Sequence, residues 1–386
     1  MINKTSKALV CANGDQANIF KNFLVTFGFE DIETFGTIDD AYEYATRHQC
    51  EFFVTALSLP DGPGVVLLQK LRACGNYGLE THMFVGDEVD NSEISLFYQY
   101  DIHYVLKLPF TEERFLTKMK FIEERESNLP PIDAVVRDVH AAIYTKVYDM
   151  AEFIIQQGQK DHGDHDKFDI LMSEIHLEKG ENEKAKVLLS GVLEKNPDSL
   201  WARSLLAKYL LATDNKEDAK VILDELAEGY PHHMNVLENA GVTNFDLGFV
   251  ELAEKQVAAL ANIDHTNEHA FELGTKIKVI KGEVTDCLDD LKKTHSEKEI
   301  VSIMNSCGIE LAKKGKRDEA NRVYEETLSI TENPEFQAKL HYNIGLNLVK
   351  MGQEKEACTH LEKALKAKPD FKKAKHLLDE HKKSAA

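Results

Sequence analysis

The chain lacks the marks of several large protein classes. It contains no run of about eighteen apolar residues, so no ordinary membrane-spanning helix is expected. Its first residues lack the apolar stretch of a secretory leader. The six cysteines, Cys11, Cys50, Cys74, Cys287, Cys307 and Cys358, are scattered, with no CxxC pair and no histidine at ligand spacing. They read as reduced, mostly core thiols, which points to a cytoplasmic address and to no metal site. No P-loop, HExxH, GxGxxG after the first strand, Ser/His/Asp order or separated carboxylate pair occurs. Neither catalysis nor a cofactor is therefore expected. Basic side chains are also scarce: 46 Lys and Arg face 66 Asp and Glu, a net charge of -20. That field repels a phosphate backbone or an anionic lipid surface, so nucleic acid and membrane are not expected partners.

What the chain does contain is a repeat. Gly352, Gly315, Gly282, Gly248, Asp214 and Gly180 are separated by 37, 33, 34, 34 and 34 positions. Five residues after each stands a small residue, namely Ala357, Ala320, Cys287, Ala253, Ala219 and Ala185. A turn former followed by a helix at this period marks stacked helix-turn-helix units. Taking the small residue as position 20 starts units at Asp166, Leu200, Met234, Glu268, Val301 and Ala338. One earlier unit starts near Ile132, with Ala151 and Ile155 at positions 20 and 24 and Lys146 at its turn. Position 8 is small in Ala207, Gly241, Gly308 and Gly345, and position 24 is bulky in Leu189, Leu223, Tyr324 and Leu361. Such a pairing lets two helices approach closely, and Pro197, Pro231 and Pro369 stop the second helix. The unit from Glu268 fits less well, with Thr275 at position 8.

This pattern resembles the tetratricopeptide repeat. The resemblance implies seven units over residues 132–371 and a capping helix in 372–386. It also implies a groove lined by first-helix positions, here Trp201, Lys208, Asn235, Phe245, Asn305, Lys339 and Tyr342, that takes an extended peptide or an amphipathic helix of a protein partner. The clamp by which some co-chaperone repeats hold a terminal carboxylate is not reproduced. Lys339 fits it, but Asn343 and Ser306 do not. The run Asp161, His162, Gly163, Asp164, His165 and Asp166 reads as a polar loop between units, since metal sites draw ligands from more than one rigid element.

Ahead of the repeats, short apolar runs alternate with amphipathic windows. Strands are expected at 8–11, 32–35, 52–57, 83–85 and 104–106, and helices at 17–27, 38–47, 65–73, 91–100 and 111–126. This is the pattern of an α/β, flavodoxin-like doubly wound five-stranded parallel sheet of order 2-1-3-4-5, with its crevice at the carboxyl ends of the strands. Pro130 and Pro131 close this domain, 1–126, with a short stiff linker over 127–131.

Gly28 and Phe29, then Ser58, Leu59, Pro60 and Gly62, then Lys107, Pro109 and Phe110 give this domain the landmarks of a response-regulator receiver, which it resembles throughout. The resemblance places Ala56 where the family has its phosphoacceptor aspartate, and a methyl group is no nucleophile. The acidic pair that holds magnesium falls on Cys11 and Ala12, or on Ala12 and Asn13, neither a hard-oxygen site. The switch hydroxyl corresponds to Gly86, and Lys107 is retained with Leu108 intervening before Pro109.

The expectation is a pseudo-receiver in a phosphorylation-independent bacterial signalling adaptor, dimerising or docking through that domain and binding protein partners through the repeats. The family's pairing face, formed by the fourth helix, fifth strand and fifth helix, is the expected route to a homodimer. The alternative is a phosphoswitch that uses a displaced carboxylate, Asp61, with Asp15, Asp87, Glu88 and Asp90 in the same set of loops.

Overall fold

The structure, a computed structural model, describes residues 2–78 and 80–382. Five apolar runs form one parallel sheet of order β2-β1-β3-β6-β7, from β1 (Lys7–Cys11), β2 (Asp31–Phe35), β3 (Phe52–Ala56), β6 (Thr81–Gly86) and β7 (Tyr104–Lys107). Between β3 and β6, β4 (Ser58–Leu59) and β5 (Gly62–Pro63) pair only with each other as a small antiparallel hairpin. The sequence patterning did not reveal that hairpin, because two-residue strands have no periodicity to read. Strands β3 and β6 are buried along their whole length, as a sheet covered on both faces requires.

Helices connect these strands and are started by side-chain caps. Thr37 accepts the Asp40 N–H, Thr111 accepts the Arg114 N–H, and Asp90 with Glu93 forms a capping box. The helix Gly14–Phe27 packs beside Glu112–Ser127 through a cluster of Phe20, Phe23, Phe110 and Phe115, with ring centroids 5.3 to 6.5 Å apart.

From Pro131 the chain is helical hairpins. The pairs are Pro131–Tyr144 with Tyr148–His162, Asp166–Glu178 with Asn182–Lys195, Leu200–Ala212 with Lys216–Gly229, and Met234–Asp246 with Val250–Ile263. Glu268–Ile280 with Val284–Thr294, Glu297–Lys313 with Arg317–Leu328, and Pro334–Lys350 with Glu354–Ala367 follow, then Lys372–His381. Residues 383–386 of the expected capping segment lie outside the described residues. The last two first-helices begin four residues ahead of the expected Val301 and Ala338. A Ser296–Glu299 capping box starts one, and Asn333 followed by Pro334 starts the other.

Each hairpin reverses through one residue of left-handed backbone: Lys146, Gly180, Asp214, Gly248, Gly282, Gly315 and Gly352, with φ between 58° and 86°. Five are glycine, which adopts that conformation without strain. Within the pairs a Cβ on Gly308 would enter the Tyr324 ring, and one on Gly345 would come within 2.9 Å of the Leu361 side chain. Bulk at position 24 thus fills the space left at position 8.

The described chain divides into two compact units after Ala270. The first holds the sheet, the first four helical pairs and the start of Glu268–Ile280; the second holds the rest of that helix and the helices after it. The division does not fall at 127–131, where helices running to Ser127 and from Pro131 leave three residues non-helical. No helix among the described residues is long and apolar enough to cross a membrane.

Lys146 and Asp214 bear the steric cost of a left-handed L-residue, which glycine avoids, about 1 kcal/mol. Lys146→Gly is expected to raise stability by up to that amount, and Gly352→Ala to lower it by about the same, both read as shifts of the urea midpoint by circular dichroism.

Candidate functional site

The carboxyl ends of the sheet strands are closed by apolar groups. Ala56 ends β3 in a buried position, and Leu57 after it donates its N–H to Val85 O at 2.8 Å. The Leu57 side chain occupies the space a Cβ on Gly86 would need. Cys11 is buried and donates its thiol to Thr37 O at 3.3 Å; burial, then the charges of Asp61 and Asp40, push that thiol well above its ordinary range. Ala12 is buried, while Asn13 and Lys107 are exposed. Asp61 does not face an incoming group with both oxygens free. Its Oδ2 accepts the Ile38 N–H at 2.7 Å and the Asp39 N–H at 3.2 Å, holding the start of Ile38–Arg47. Asp15, Asp87 and Glu88 are exposed, and Asp90 serves as a helix cap. Hairpin β4-β5, Glu88, Glu93, His232 and His265 line an open cleft of about 720 Å³ beside these ends.

Within the first unit the sheet domain is docked on the junctions between successive helical pairs. Leu57, Val65, Leu68, Phe84, Leu96 and Phe97 form one core cluster with Leu200, Leu226 and Val236. Gln69 is buried there and reads backbone on both sides, donating to His232 O at 2.8 Å and accepting the Met234 N–H at 3.0 Å. Lys70 donates to Asp264 Oδ1 at 3.0 Å, Asp39 Oδ1 at 3.0 Å and Thr266 Oγ1 at 2.8 Å. Burial alone would lower the Lys70 pKa, but the hydrogen bonds to Asp264 and Asp39 more than offset it and the net shift is upward. Burial likewise opposes the charge on Asp264, and the Lys70 bond prevails, leaving that carboxyl below its ordinary range. Close approach at β5 needs Gly62, since a Cβ there would lie 2.8 Å from Ile263 O.

Farther along the same junction, Lys167 bonds Asp101 at 2.9 Å and Arg125 bonds Asp133 at 2.7 Å. Arg137 bonds Glu126 at 2.7 Å, and Arg72 pairs with Glu80. Among the described residues Asp101, His103 and Asp133 converge closely enough for a metal, as do Glu152, His176 and Glu181. Lys167 and Arg125 already neutralise the first group, and Lys179 and Lys184 the second. The 161–166 run joins neither; His165 Nδ1 caps Lys167, and Asp166 pairs with Lys195.

Two expected groove residues are inside the protein. Trp201 is 4% exposed and stacks on His140 with centroids 5.7 Å apart, and Phe245 is 4% exposed. Both are corrected from groove to buried: Trp201 belongs to the core cluster that three consecutive pairs share, and burying a large aromatic there outweighs exposing it. Lys208 is exposed and paired with Glu178, and Asn235 is exposed and accepts from Asn239 at 2.8 Å. In the second unit Asn305 accepts from Asn343 at 2.7 Å, and Tyr342, next along the helix, lies 5.1 Å from the Phe371 ring. Lys339, one turn earlier on that helix, is exposed. These three share one neighbourhood. The residues that hold the sheet domain to the helices, Gln69, Lys70 and Asp264, escaped sequence reasoning, because no local pattern links positions 194 apart. Of the expected pairing face, Ile94, Tyr98 and Phe121 are about half exposed. The helix Asn91–Gln99 puts Leu96 and Phe97 against Leu200 and Leu226 of the same chain, where burying them costs no association entropy.

The comparisons fit the helical part. The tetratricopeptide repeat family matches residues 176–238 and, in a second match, 338–371. The chain therefore carries tetratricopeptide repeats, a fold that serves as a protein-interaction scaffold. No curated protein matches. A tetratricopeptide repeat protein from Parabacteroides merdae is 13% identical over 64% of this chain and 98% of its own, with a TM-score of 0.41. The Pseudomonas aeruginosa pilF structure is 10% identical over 65% and 97%, with a TM-score of 0.38. YrrB, described as a repeat protein with an unusual peptide-binding site, is 14% identical over 57% and 96%, with a TM-score of 0.34.

His140 and His233 lie in the docking junction, and burial pushes both down to about 4. An unfolded histidine titrates near about 6.5. Their contribution to stability is therefore complete above pH 6.5 and is lost as pH falls towards 4, because the unfolded chain binds more protons across that window. The melting temperature is expected to fall through that range, with a shallower slope in His233→Asn. Lys70→Ala, which leaves Asp264 buried and unpaired, is expected to cost about 3 kcal/mol in denaturant unfolding.

Proposed function

We propose that the chain is a non-catalytic adaptor whose repeats bind a protein partner and whose sheet domain is a flavodoxin-like pseudo-receiver used for docking, not for phosphotransfer. The observation that carries this reading is the filling of the strand ends: Ala56 is buried at the end of its strand and the Leu57 side chain takes the space beside Gly86, with no carboxylate at either position. An aspartyl phosphate needs a carboxylate nucleophile beside a magnesium site, and Cys11, Ala12 and Asn13 supply no charged oxygen. The sheet order and the retained Lys107 support the receiver-like reading. Docking is supported by Leu96 and Phe97, which are covered by helices of the same chain. A bacterial two-component pathway and a cytoplasmic setting belong to this proposal through the resemblance.

The partner surface is assigned to Asn305, Lys339 and Tyr342 of the second unit; in the first unit, taken by itself, Lys208 and Asn235 are exposed. An amide beside an aromatic ring and a lysine suits the backbone and an acidic or amphipathic side of a partner segment. The second reading is the phosphoswitch at Asp61, favoured only by its place beside the strand ends.

Two measurements test these readings. Treatment of the full chain with acetyl phosphate and Mg²⁺ is expected to add no phosphate by intact mass, and a phosphate mapped to Asp61 establishes the second reading instead. Proteins captured by the wild-type chain are expected to be lost with the double variant Lys339→Glu, Tyr342→Ala. Unchanged capture by that variant removes the assigned surface.

A further inference from the structure

The junction between the sheet domain and the first helical pair holds two buried histidines that the adaptor reading does not use. His82 and Arg72 come from the sheet domain and His140 from Pro131–Tyr144, and all three line one cavity of about 30 Å³, room for a water molecule. His82 stacks on Phe53 with ring centroids 4.4 Å apart. It donates its Nε2–H to Glu80 Oε1 at 3.0 Å, which leaves the Nδ1 lone pair as the place for a second proton. His140 stacks on Tyr144 and on Trp201, each with centroids 5.7 Å from its own. Among the described residues, no hydrogen-bond partner reaches His82 Nδ1 or His140 Nε2.

A charge on either ring finds no carboxylate left to pair with. Glu80, Asp101, Glu126 and Asp133, the carboxylates of this junction, are matched one to one by Arg72, Lys167, Arg137 and Arg125. His103, also at the cavity, faces Asp101 at 3.2 Å. Tyr100, Tyr104 and Tyr144 line the cavity as well, and burial pushes all three phenols up, so they supply no charge. Burial, then the charge of Arg72, holds His82 well below its ordinary range. Burial lowers His140 to about 4; Asp101 opposes that shift, and Arg72 and Lys167 add to it. One buried guanidinium therefore acts on both rings.

We propose that His82 and His140 form a proton-sensitive latch: when both rings are charged, the sheet domain loosens from Pro131–Tyr144 while the helices keep their fold. An exposed imidazole titrates near about 6.5, so below that pH the open junction binds more protons than the closed one. The latch is complete above about pH 6.5 and weakens as the pH falls towards 4. Glu174, which bears on Tyr100 and Tyr144 from Asp166–Glu178, works the other way: burial raises it from 4.5 to about 6, so there the closed junction is the one that takes up a proton. Its shift is smaller than that of His140 alone, and His82 adds to the histidine side. Opening then takes up about one proton net, which weakens the closed state about tenfold for each pH unit from about 6 to 4.5.

Trp201 is the single tryptophan of the chain, so its emission reads this junction alone. In the full chain, lowering the pH from about 7 to 4.5 is expected to move that emission to longer wavelength and to raise hydrogen exchange of Pro131–Tyr144 above the intrinsic pH trend. The far-ultraviolet circular dichroism of the helices is expected to hold over the same range. His140→Phe keeps an aromatic ring in the stack but takes no proton, and His82→Gln keeps a donor for Glu80. In each, the dependence of opening on pH is expected to fall from about tenfold to about twofold per unit. The proposal is overturned by emission and exchange that stay constant to pH 4.5, by a tenfold dependence retained in either variant, or by changes that appear only with loss of the helical signal.

Discussion

Each helical pair depends on a reversal through one residue of left-handed backbone, and the rest of the array is arranged around that reversal. The turn sets where the second helix begins, which brings position 20 and position 24 opposite position 8 of the first helix. At Gly308 and Tyr324, and again at Gly345 and Leu361, the absent side chain on one helix is the space taken by the bulky one on the other. A hairpin of this kind buries only one side by itself, so its neighbours must complete the core. The cluster from Val136 to Tyr209 shows the result, drawing on residues of three consecutive pairs.

The docking of the sheet domain follows a different logic. Its energy is mainly apolar: burying a Leu, Val or Phe side chain is worth about 1.5–3 kcal/mol, and nine such residues meet in the shared cluster. The Lys70 bridge adds little net energy, since desolvation of a buried pair consumes most of its attraction. Its role is register. Gln69 and Lys70 can satisfy their partners only in one placement of the sheet domain on the helix junctions, because each wrong placement strands a buried amide or charge. A domain held that way has Leu96 and Phe97 of its fourth helix covered, while Ile94 and Tyr98 on the other face of that helix stay about half exposed.

Legibility varied with the distance over which a signal acts. The strands at 8–11, 32–35 and 104–106 agree with the observed ones to within a residue at either end, and Lys146 and Asp214 were recognisable as turn residues from period alone despite lacking glycine's freedom. The starts of the last two first-helices were misjudged by four residues, because repeat register says nothing of a cap that extends a helix outward. Among the candidate residues, Cys11, Ala56 and Gly86 were legible as lying at or beside strand ends. Their environment, filled by Leu57 and bounded by a capping Asp61, was not. Trp201 is a core residue because a position that lines a groove in an isolated repeat is also the position a neighbouring pair covers.

Sequence alone determined the repeat period, the reversal points and the alternation that builds a parallel sheet. All of these depend on residue type at fixed short spacing. Tertiary structure decided that the sheet domain and four helical pairs make one compact unit, which groove positions are buried, and that His82 and His140 line one cavity beside Arg72. These depend on contacts between residues far apart in the chain, whose geometry is set by packing and leaves no local trace in the order of amino acids.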